Sequence, residues 1–518
     1  MVRSSIGVVD LVEKYVEMEH QRLEHLKEYA QNFANMHAQN SQFFTREALL
    51  NPTSAYLIVK LLTAYWTPIE SLMKENRADA LLKDAKTGTA TVPQVTLPST
   101  DDVVGLAKAL MTLQTTYELG TKDLADGKLP GHPSPIVMTA KDCYDVGRIA
   151  YDLKWFYHTI LWTHEALLRS EREKPGSTIS DSEVLEYLAY PLGEVGEIGL
   201  ALELTKQLHA LVPDHPRAPG NVAYYESVLA SDDPTGGKRP AVPHETYVKW
   251  RTYGVTLDDG TYEHYSALCR GDIRQGEEEL SKLHCYYKND RPFLKLAPIK
   301  VELLMLKPIV RLFRGVISDE EIETVTRIAF PKLFRSMVVD KHGNGSELSD
   351  SRVSKNTWLS DFEHPSAARL TRRVSDMTNL DMGTAEEYQV ANYGIGGHYQ
   401  PHVDTLLVDY YGEPDPEKLR NVAGAKANGD RIATVLFYIS QPEAGGATVF
   451  PELNLTLFPS KNDAVFWLNY KKSGKADTRM RHSGCPVLMG SKWILNKWIH
   501  ERGQEFNRPC SVDEDGYE

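Results

Sequence analysis

Three residues near the C-terminus of this 518-residue chain have the types and order of a transition-metal site: His402, Asp404 and, far downstream, His482. Side chains two apart on an extended chain project to the same face, so His402 and Asp404 can grip one cation from a single strand. His482 would complete a face of two histidines and one carboxylate. That face leaves about three of roughly six positions on iron open, room for a chelating cosubstrate beside dioxygen. A zinc hydrolase needs only one open position. Soon after His482 stands Lys492. A buried ammonium requires an anion, and the distal carboxylate of 2-oxoglutarate meets that requirement.

A His-x-Asp pair alone also fits a strand-end histidine followed by an acidic turn residue, so the elements around it decide. Tyr388–Tyr393 reads as a strand, and Gly394-Ile-Gly-Gly397 as a bend that delivers the chain into His398 and His402. Residues 431–439, 447–450 and 463–468 are β-branched and aromatic runs divided by Gly, Pro and Asn, which predicts short strands packed against one another. Gly490 is expected to turn the chain between two antiparallel strands, setting Lys492 near the mouth that His482 faces.

The run from Tyr393 to Cys510 includes Pro401-His-Val-Asp404, Gly445-Gly-Ala-Thr-Val-Phe-Pro451 and Lys497-Trp-Ile-His-Glu-Arg-Gly-Gln-Glu-Phe506. It resembles the catalytic domain of the α subunit of animal collagen prolyl 4-hydroxylases. The resemblance implies a double-stranded β-helix, or jelly roll, using Fe(II), 2-oxoglutarate and O2, with ascorbate rescuing iron oxidised in uncoupled cycles. It makes His402, Asp404 and His482 the iron ligands and Lys492 the 2-oxoglutarate residue, with Tyr393 and His500 also assigned to the cosubstrate. Eight residues of straight strand would carry His500 roughly 26 Å beyond Lys492, so a bend or bulge is required. The implied reaction hydroxylates C4 of proline in X-Pro-Gly sequences of procollagen, coupled to oxidative decarboxylation of 2-oxoglutarate to succinate and carbon dioxide.

The same resemblance pairs Cys269 with Cys285 and Cys485 with Cys510, leaving Cys143 free. Disulfides require an oxidising compartment, here the endoplasmic reticulum lumen. There Asn344 and Asn454, in Asn-Gly-Ser and Asn-Leu-Thr, become glycosylation acceptors. The start, Met1-Val-Arg-Ser-Ser-Ile, has no apolar core like a signal peptide, so a mature chain with an added methionine or a cytosolic protein is expected. The C-terminus carries no Lys-Asp-Glu-Leu type signal, and the family supplies protein disulfide isomerase as a retained β subunit, usually in an α2β2 assembly. Net charge is −13, from 58 basic and 71 acidic residues, which argues against a nucleic-acid partner. No run approaches the roughly 18 apolar residues of a membrane span.

Four regions are expected: a helical dimerisation domain over 1–136, a tetratricopeptide-like peptide-substrate-binding domain over 137–237, a disulfide-bearing linker over 238–296, and the catalytic domain over 297–518. The class is therefore multidomain, α then α+β. Residues 8–33 read as a helix with a heptad seam, Val9, Val16, Leu23 and Ala30 on one set and Val12, Leu26 and Phe33 on the other. Such a seam fits a second α subunit or packing within its own domain. Helices are expected over 54–75 and 99–119.

In the second region, Gly196, Ala201 and Pro213 fall at tetratricopeptide spacings, with a degenerate partner around Gly147, Tyr151 and Trp155. Stacked helix pairs make a groove. It would carry Tyr187 and Tyr190, which share a helix face, with Arg217, Asn221, Tyr224 and Tyr225. Rings separated by hydrogen-bond donors suit a polyproline II peptide. Similar positions hold proline-rich peptide in the family, but a tyrosine expected three residues after Tyr224 is Ser227 here. Residues 231–243 have linker composition, Ser318 begins a helix with acidic first-turn residues, and loops 341–349 and 410–430 are long and charged, either mobile covers or surface insertions.

Two other readings are distinguishable. A non-catalytic collagen-binding or chaperone subunit would not need His402, Asp404, His482 and Lys492 all present. A related enzyme acting on lysine, or on a cytosolic signalling proline, would not need the repeat domain or this cysteine placement.

Overall fold

The computed structural model describes residues 2–45, 48, 50–74, 100–129, 136–231, 259–339, 346–347, 349–408, 412–415, 418 and 427–513. Two compact units emerge, one of residues 1–110 and 120–240, the other of 111–119 and 241–518. The linker stretch 232–243, Asn344, and most of the loops 341–349 and 410–430 lie outside the described residues, as do the side chains of Val9 and Val12.

The first unit is helical. The helix Val2–Gln39 is followed by Pro52–Lys74, and Arg22 of the first donates to the carbonyls of Leu72 and Met73 in the second. Of the seam residues, Val16 and Leu23 stay exposed, while Phe33 meets Tyr65 edge-on. The repeat region is five helices: Ala140–Asp152, Phe156–Glu173, Asp181–Glu194, Ile198–Leu211 and Ala218–Leu229. Thr139 and Ser180 each close a reciprocal capping box, which satisfies amide donors that a helix start leaves unpaired. Gly196 adopts φ +87° in the turn between the third and fourth helices, and Ala201 is fully buried beyond it. Gly147 is not a turn residue. It lies inside the first helix, where a Cβ would come within 2.7 Å of Thr163 Cγ2, so its role is close helix packing.

Among the described residues, the second unit is built on two main sheets. The larger has nine strands in the order β1 (Cys285–Lys288), β2 (Ile299–Leu306), β3 (Ile309–Arg314), β15 (Ala464–Leu468), β11 (Arg431–Tyr438), β18 (Lys492–His500), β9 (Tyr388–Tyr393), β8 (Lys355–Leu359) and β4 (Phe334–Arg335). The smaller has five: β14 (Leu455–Leu457), β13 (Thr448–Phe450), β16 (His482–Gly484), β10 (His398–His402) and β7 (Arg352–Val353). Short pairs β5 (Val338–Val339) with β6 (Ser346–Glu347), and β12 (Ala444–Gly445) with β17 (Val487–Met489), stand beside them.

Alternation along the strands divides the large sheet's two faces. Tyr388, Val390, Val435, Phe437, Phe466 and Leu495 point to one core, shared with helices Asp319–Ala329 and Pro365–Thr378. Ala391, Tyr393, Leu436, Trp467 and Ile494 point to the other, shared with Phe450, Leu455 and Met480 from the small-sheet side. The expected helix start at Ser318 is a capping box with Glu321. Gly490, at φ +82°, does not join a hairpin: β17 pairs with β12 and β18 with β9 and β11, so it redirects the chain from one sheet to another.

The cysteine pairing differs from the expectation. Cys269, in the helix Asp259–Arg270, bonds to Cys485 just after β16, with Cα atoms 5.6 Å apart at a sequence separation of 216. Cys285 on edge strand β1 and Cys510 in the tail are exposed and unpaired, and Cys143 is buried. The helix packs Tyr262, Tyr265 and Leu268 onto Ala447 and Val449, bringing its cysteine to the end of the strand that His482 begins. Proximity in space thus overrides the short sequence spacing of Cys269 and Cys285. Non-reducing peptide mapping should return one crosslinked peptide containing Cys269 and Cys485; a Cys269–Cys285 crosslink instead would contradict this packing.

Residues 111–119 cluster with the same unit. The Tyr117 hydroxyl donates to the Pro486 carbonyl at 2.6 Å, and Arg270 donates to the Thr116 carbonyl at 3.0 Å. Among the described residues, no helix is long and apolar enough to cross a membrane.

Candidate active site

Antiparallel pairing of β10 with β16 sets His402 directly opposite His482, with a register irregularity between Tyr399 and His402. Asp404 lies beyond the end of β10, in the bend that follows. The expectation of one strand carrying both ligands is thus corrected: the strand stops at His402, and the turn swings the carboxylate to the histidines. One ligand atom from each of His402, Asp404 and His482 falls within 4.8 Å of the others. Asp404 Oδ1 is 3.9 Å from His402 Nε2, and its Oδ2 is 3.6 Å from His482 Nε2.

Backbone carbonyls fix both imidazoles. His402 Nδ1 lies 2.8 Å from the Gln400 carbonyl and His482 Nδ1 lies 2.9 Å from the Met480 carbonyl. A carbonyl only accepts, so each Nδ1 must donate, which leaves both Nε2 lone pairs free for a metal. Burial, with His482 beside it, pushes His402 down to about 3, so its ring is neutral at physiological pH. Burial alone would raise the Asp404 carboxyl, but His482, His402 and Arg431 hold it below the usual carboxylate value. Tyr399 stacks on the His402 ring with centroids 3.5 Å apart, and the Arg352 guanidinium covers the Tyr399 ring.

Lys492 opens β18 opposite Tyr393 of β9, and both line the cavity that holds the three ligands, about 420 Å³ counting its open side. Lys492 is 2 % exposed, and the Thr448 hydroxyl is 3.2 Å from its ammonium. Burial pushes the ammonium down to about 7. No ion pair involves Lys492 among the described residues, so an anion entering the cavity would meet an uncompensated cation. Two imidazole nitrogens and a carboxylate suit Fe(II) with open positions, and the buried ammonium suits an anionic cosubstrate.

His500 does not join this cavity. It ends β18, eight residues from Lys492, where its Nδ1 lies 2.7 Å from the Gly429 carbonyl and its Nε2 lies 3.0 Å from Glu386 Oε1. Glu386 in turn pairs with Arg431 at 2.5 Å, and burial notwithstanding, Arg431 and His500 hold its carboxyl at about 2. His500 is thus not among the residues that line the cavity, although Trp498, two residues before it, is, and both its ring nitrogens are committed to Gly429 and Glu386, which corrects its assignment to the cosubstrate. Sequence reading missed Arg352, Tyr399 and Trp498. These line both the metal cavity and an adjoining open cleft, about 1630 Å³ counting its solvent side, that also holds Phe334, Asn356 and Trp358.

In the repeat region, Tyr187 and Tyr190 do share a face. Tyr151 meets their rings edge-on at 5.0 and 5.9 Å, Tyr144 meets Tyr187 at 5.8 Å and Phe156 meets Tyr190 at 6.2 Å, an aromatic set wider than sequence reading found. Arg148 lies over the Tyr187 ring. Tyr224 is half exposed, Asn221 is half-buried, and Arg217 is exposed and paired with Glu186. Ser227 donates to the Tyr224 carbonyl at 2.7 Å. Tyr225 is different: it is 4 % exposed and packs with Leu188, Leu192 and Ala201, its hydroxyl where a Gly193 Cβ would be. Adjacent helix positions face different ways, so one tyrosine of the pair is surface and the other core. Changing Tyr224 or Tyr187 to Ala should weaken a long proline-rich peptide by about tenfold with little loss of stability. Tyr225→Ala should instead cost about 3–5 kcal/mol of stability. Equal effects on peptide affinity and unfolding at all three would refute the division.

Three family models match the chain: the prolyl 4-hydroxylase α-subunit N-terminal region over residues 7–131, the prolyl 4-hydroxylase peptide-substrate-binding domain over 140–231, and the 2OG-Fe(II) oxygenase superfamily over 388–500. Prolyl 4-hydroxylase subunit alpha-2 of Caenorhabditis elegans is 43% identical over 99% of this chain and 92% of its own length. Prolyl 4-hydroxylase subunit alpha-1 of Homo sapiens is 38% identical over 99% of this chain and 94% of its own. A crystal structure of a viral collagen prolyl hydroxylase from Paramecium bursaria Chlorella virus 1 aligns at 26% identity over 37% of this chain and 95% of that one, with TM-score 0.29. The chain belongs to the prolyl 4-hydroxylase α-subunit family, a proline-hydroxylating dioxygenase with a 2-oxoglutarate and Fe(II) domain.

Proposed function

We propose that this α subunit hydroxylates C4 of proline in X-Pro-Gly sequences of procollagen, consuming O2 and 2-oxoglutarate and drawing on ascorbate to recover oxidised iron. The observation that carries the reading is the convergence of His402, Asp404, His482 and the unpaired ammonium of Lys492 on one cavity. His402 and His482 would hold Fe(II) through Nε2 and Asp404 through a carboxylate oxygen, and the metal would supply activation of dioxygen coupled to decarboxylation of the cosubstrate. The chain's own work is positional. Lys492 neutralises the far carboxylate of 2-oxoglutarate and so fixes its direction of entry. Tyr399 and Arg352 line both the cavity and the open cleft beside it, through which the substrate peptide would reach the metal. The tyrosine groove of the repeat domain binds neighbouring proline-rich segments and raises the local concentration of a repetitive substrate.

Assembly and location complete the proposal. The apolar residues Val16 and Leu23, exposed on a 38-residue helix, support pairing with a second α subunit. Relatives named as subunits support a further partner, for which protein disulfide isomerase is the family's choice. The Cys269–Cys485 bond supports the endoplasmic reticulum lumen. Asn454, exposed with φ +49°, would carry a glycan there, as would Asn344.

The test is co-expression with protein disulfide isomerase, then incubation with Fe(II), 2-oxoglutarate, ascorbate and a (Pro-Pro-Gly)n peptide, read by mass spectrometry. A one-oxygen gain on the proline before glycine, dependent on 2-oxoglutarate, is the expected result. Peptide bound without any gain would point to a binding subunit. Glycosidase treatment of the purified chain should also lower its mass, and no change would count against the lumenal location.

A further inference from the structure

Trp467 reaches two of the three ligands by separate routes. Its ring stands edge-on to that of His482, with centroids 4.7 Å apart. Its indole Nε1 donates to Asn469 Oδ1 at 2.9 Å, Asn469 Nδ2 donates to Thr434 Oγ1 at 3.1 Å, and the Thr434 hydroxyl donates to Asp404 Oδ2 at 2.7 Å. Register places Thr434 of β11 directly opposite Trp467 of β15. Trp467, Thr434 and Asn469 are at most 2 % exposed, so water does not compete for these bonds.

The direction of the chain is forced by chemistry. An indole nitrogen can only donate, so the amide oxygen of Asn469 must face it, and the amide nitrogen therefore faces Thr434. A hydroxyl has one proton, and with Asn469 donating to its oxygen that proton goes to Asp404. Asn469 is held a second time by donating to the Arg431 carbonyl at 3.1 Å.

We propose that Trp467, Asn469 and Thr434 form a one-way hydrogen-bond relay that ties up Asp404 Oδ2 and leaves Oδ1 as a single-oxygen metal ligand, while the same indole fixes the rotation of His482. These are positioning residues. A two-oxygen carboxylate would occupy a further position on iron and crowd the sites needed together by 2-oxoglutarate and dioxygen. The relay thereby protects the number of open positions as well as the affinity.

This inference rests on the metal-site reading above, and Mn(II) binding by the unaltered full-length chain checks that reading on its own. Thr434→Val removes the hydroxyl at nearly constant volume, Asn469→Asp replaces the donor amide by an acceptor that turns the Thr434 proton away from Asp404, and Thr434→Ser keeps the hydroxyl. Calorimetric titration with Mn(II), and the absorption spectrum with Co(II), supply readouts that do not need turnover. Thr434→Val and Asn469→Asp should weaken Mn(II) binding by about 10–100-fold. Both should shift the Co(II) spectrum, and Thr434→Ser should restore affinity and spectrum. Wild-type affinity in a folded Thr434→Val chain would overturn the relay. So would a Thr434→Ser chain as weak as Asn469→Asp, since packing rather than the hydroxyl would then be at work. Failure of the unaltered chain to bind Mn(II) would overturn the metal reading and the relay with it.

Discussion

Replacing His482 with alanine will abolish turnover while peptide binding by the repeat domain persists. His482 is buried opposite His402, with its Nδ1 committed to the Met480 carbonyl, and no fourth metal-binding side chain joins the cluster among the described residues. Nothing nearby can replace the lost Nε2. Metal affinity should therefore fall further than the roughly 10–100-fold typical of changes outside the ligand set. The groove residues Tyr187, Tyr190 and Tyr224 belong to the other compact unit and have their own core around Leu188, Leu192 and Ile198. Decarboxylation of 2-oxoglutarate and fluorescence titration with a proline-rich peptide check the two halves separately. Loss of both would mean that binding and chemistry are not carried by separable modules.

Lys492→Met will make the apo protein more stable and the enzyme inactive. In the folded chain burial pushes the ammonium down to about 7, against 10.5 for a free lysine. Between those values the unfolded chain binds the extra proton, so this group's contribution to stability rises with pH across the window. Below about 7 the folded state carries the whole cost of the buried charge. Methionine has similar length and no charge, so it should raise the unfolding free energy without 2-oxoglutarate, by an amount on the order of a few kcal/mol at neutral pH and below. The difference should vanish above pH 10.5 or so. Affinity for 2-oxoglutarate should drop by at least about 30-fold. In the unaltered chain that affinity should weaken as pH rises through about 7, because the deprotonated amine no longer attracts the carboxylate. Unchanged stability together with unchanged affinity would remove Lys492 from the cosubstrate end of the cavity.

The ligand set was legible because the spacing of His402 and Asp404 is a local signal and the motifs around His482 and Lys492 are specific in combination. The strands were legible too, since β-branched and aromatic runs between glycines and prolines have few other uses. What sequence did not reveal depends on which elements pack together. The Cys269–Cys485 bond exists because a helix lies across the small sheet, and no spacing encodes that. The distance of His500 from Lys492 was legible from strand rise alone, but its pairing with Glu386 and Gly429 was not, because those partners come from other parts of the chain. Tyr224 and Tyr225 look equivalent in a list of aromatic residues, yet the helix sends one to solvent and one to the core. The relay was hidden in plain strand sequence. Thr434 follows Ile432 and Ala433 and precedes Val435 and Leu436, and a hydroxyl in the middle of a buried strand was the available sign that a partner must exist there.

The clasp of residues 111–119 on the unit that carries the chemistry has a bearing on how such chains can be cut and recombined. Those nine residues lie within the stretch matched to the N-terminal region of the family, yet they fold with the enzyme. Tyr117 holds the Pro486 carbonyl between the strand bearing His482 and the strand bearing Lys492. A chimera joined at the boundary between helical regions would therefore graft a foreign clasp onto the catalytic barrel. A C-terminal half expressed alone would leave part of its own fold behind. The family matches divide this chain into contiguous blocks, but the unit that carries the chemistry is assembled from two separate stretches of it.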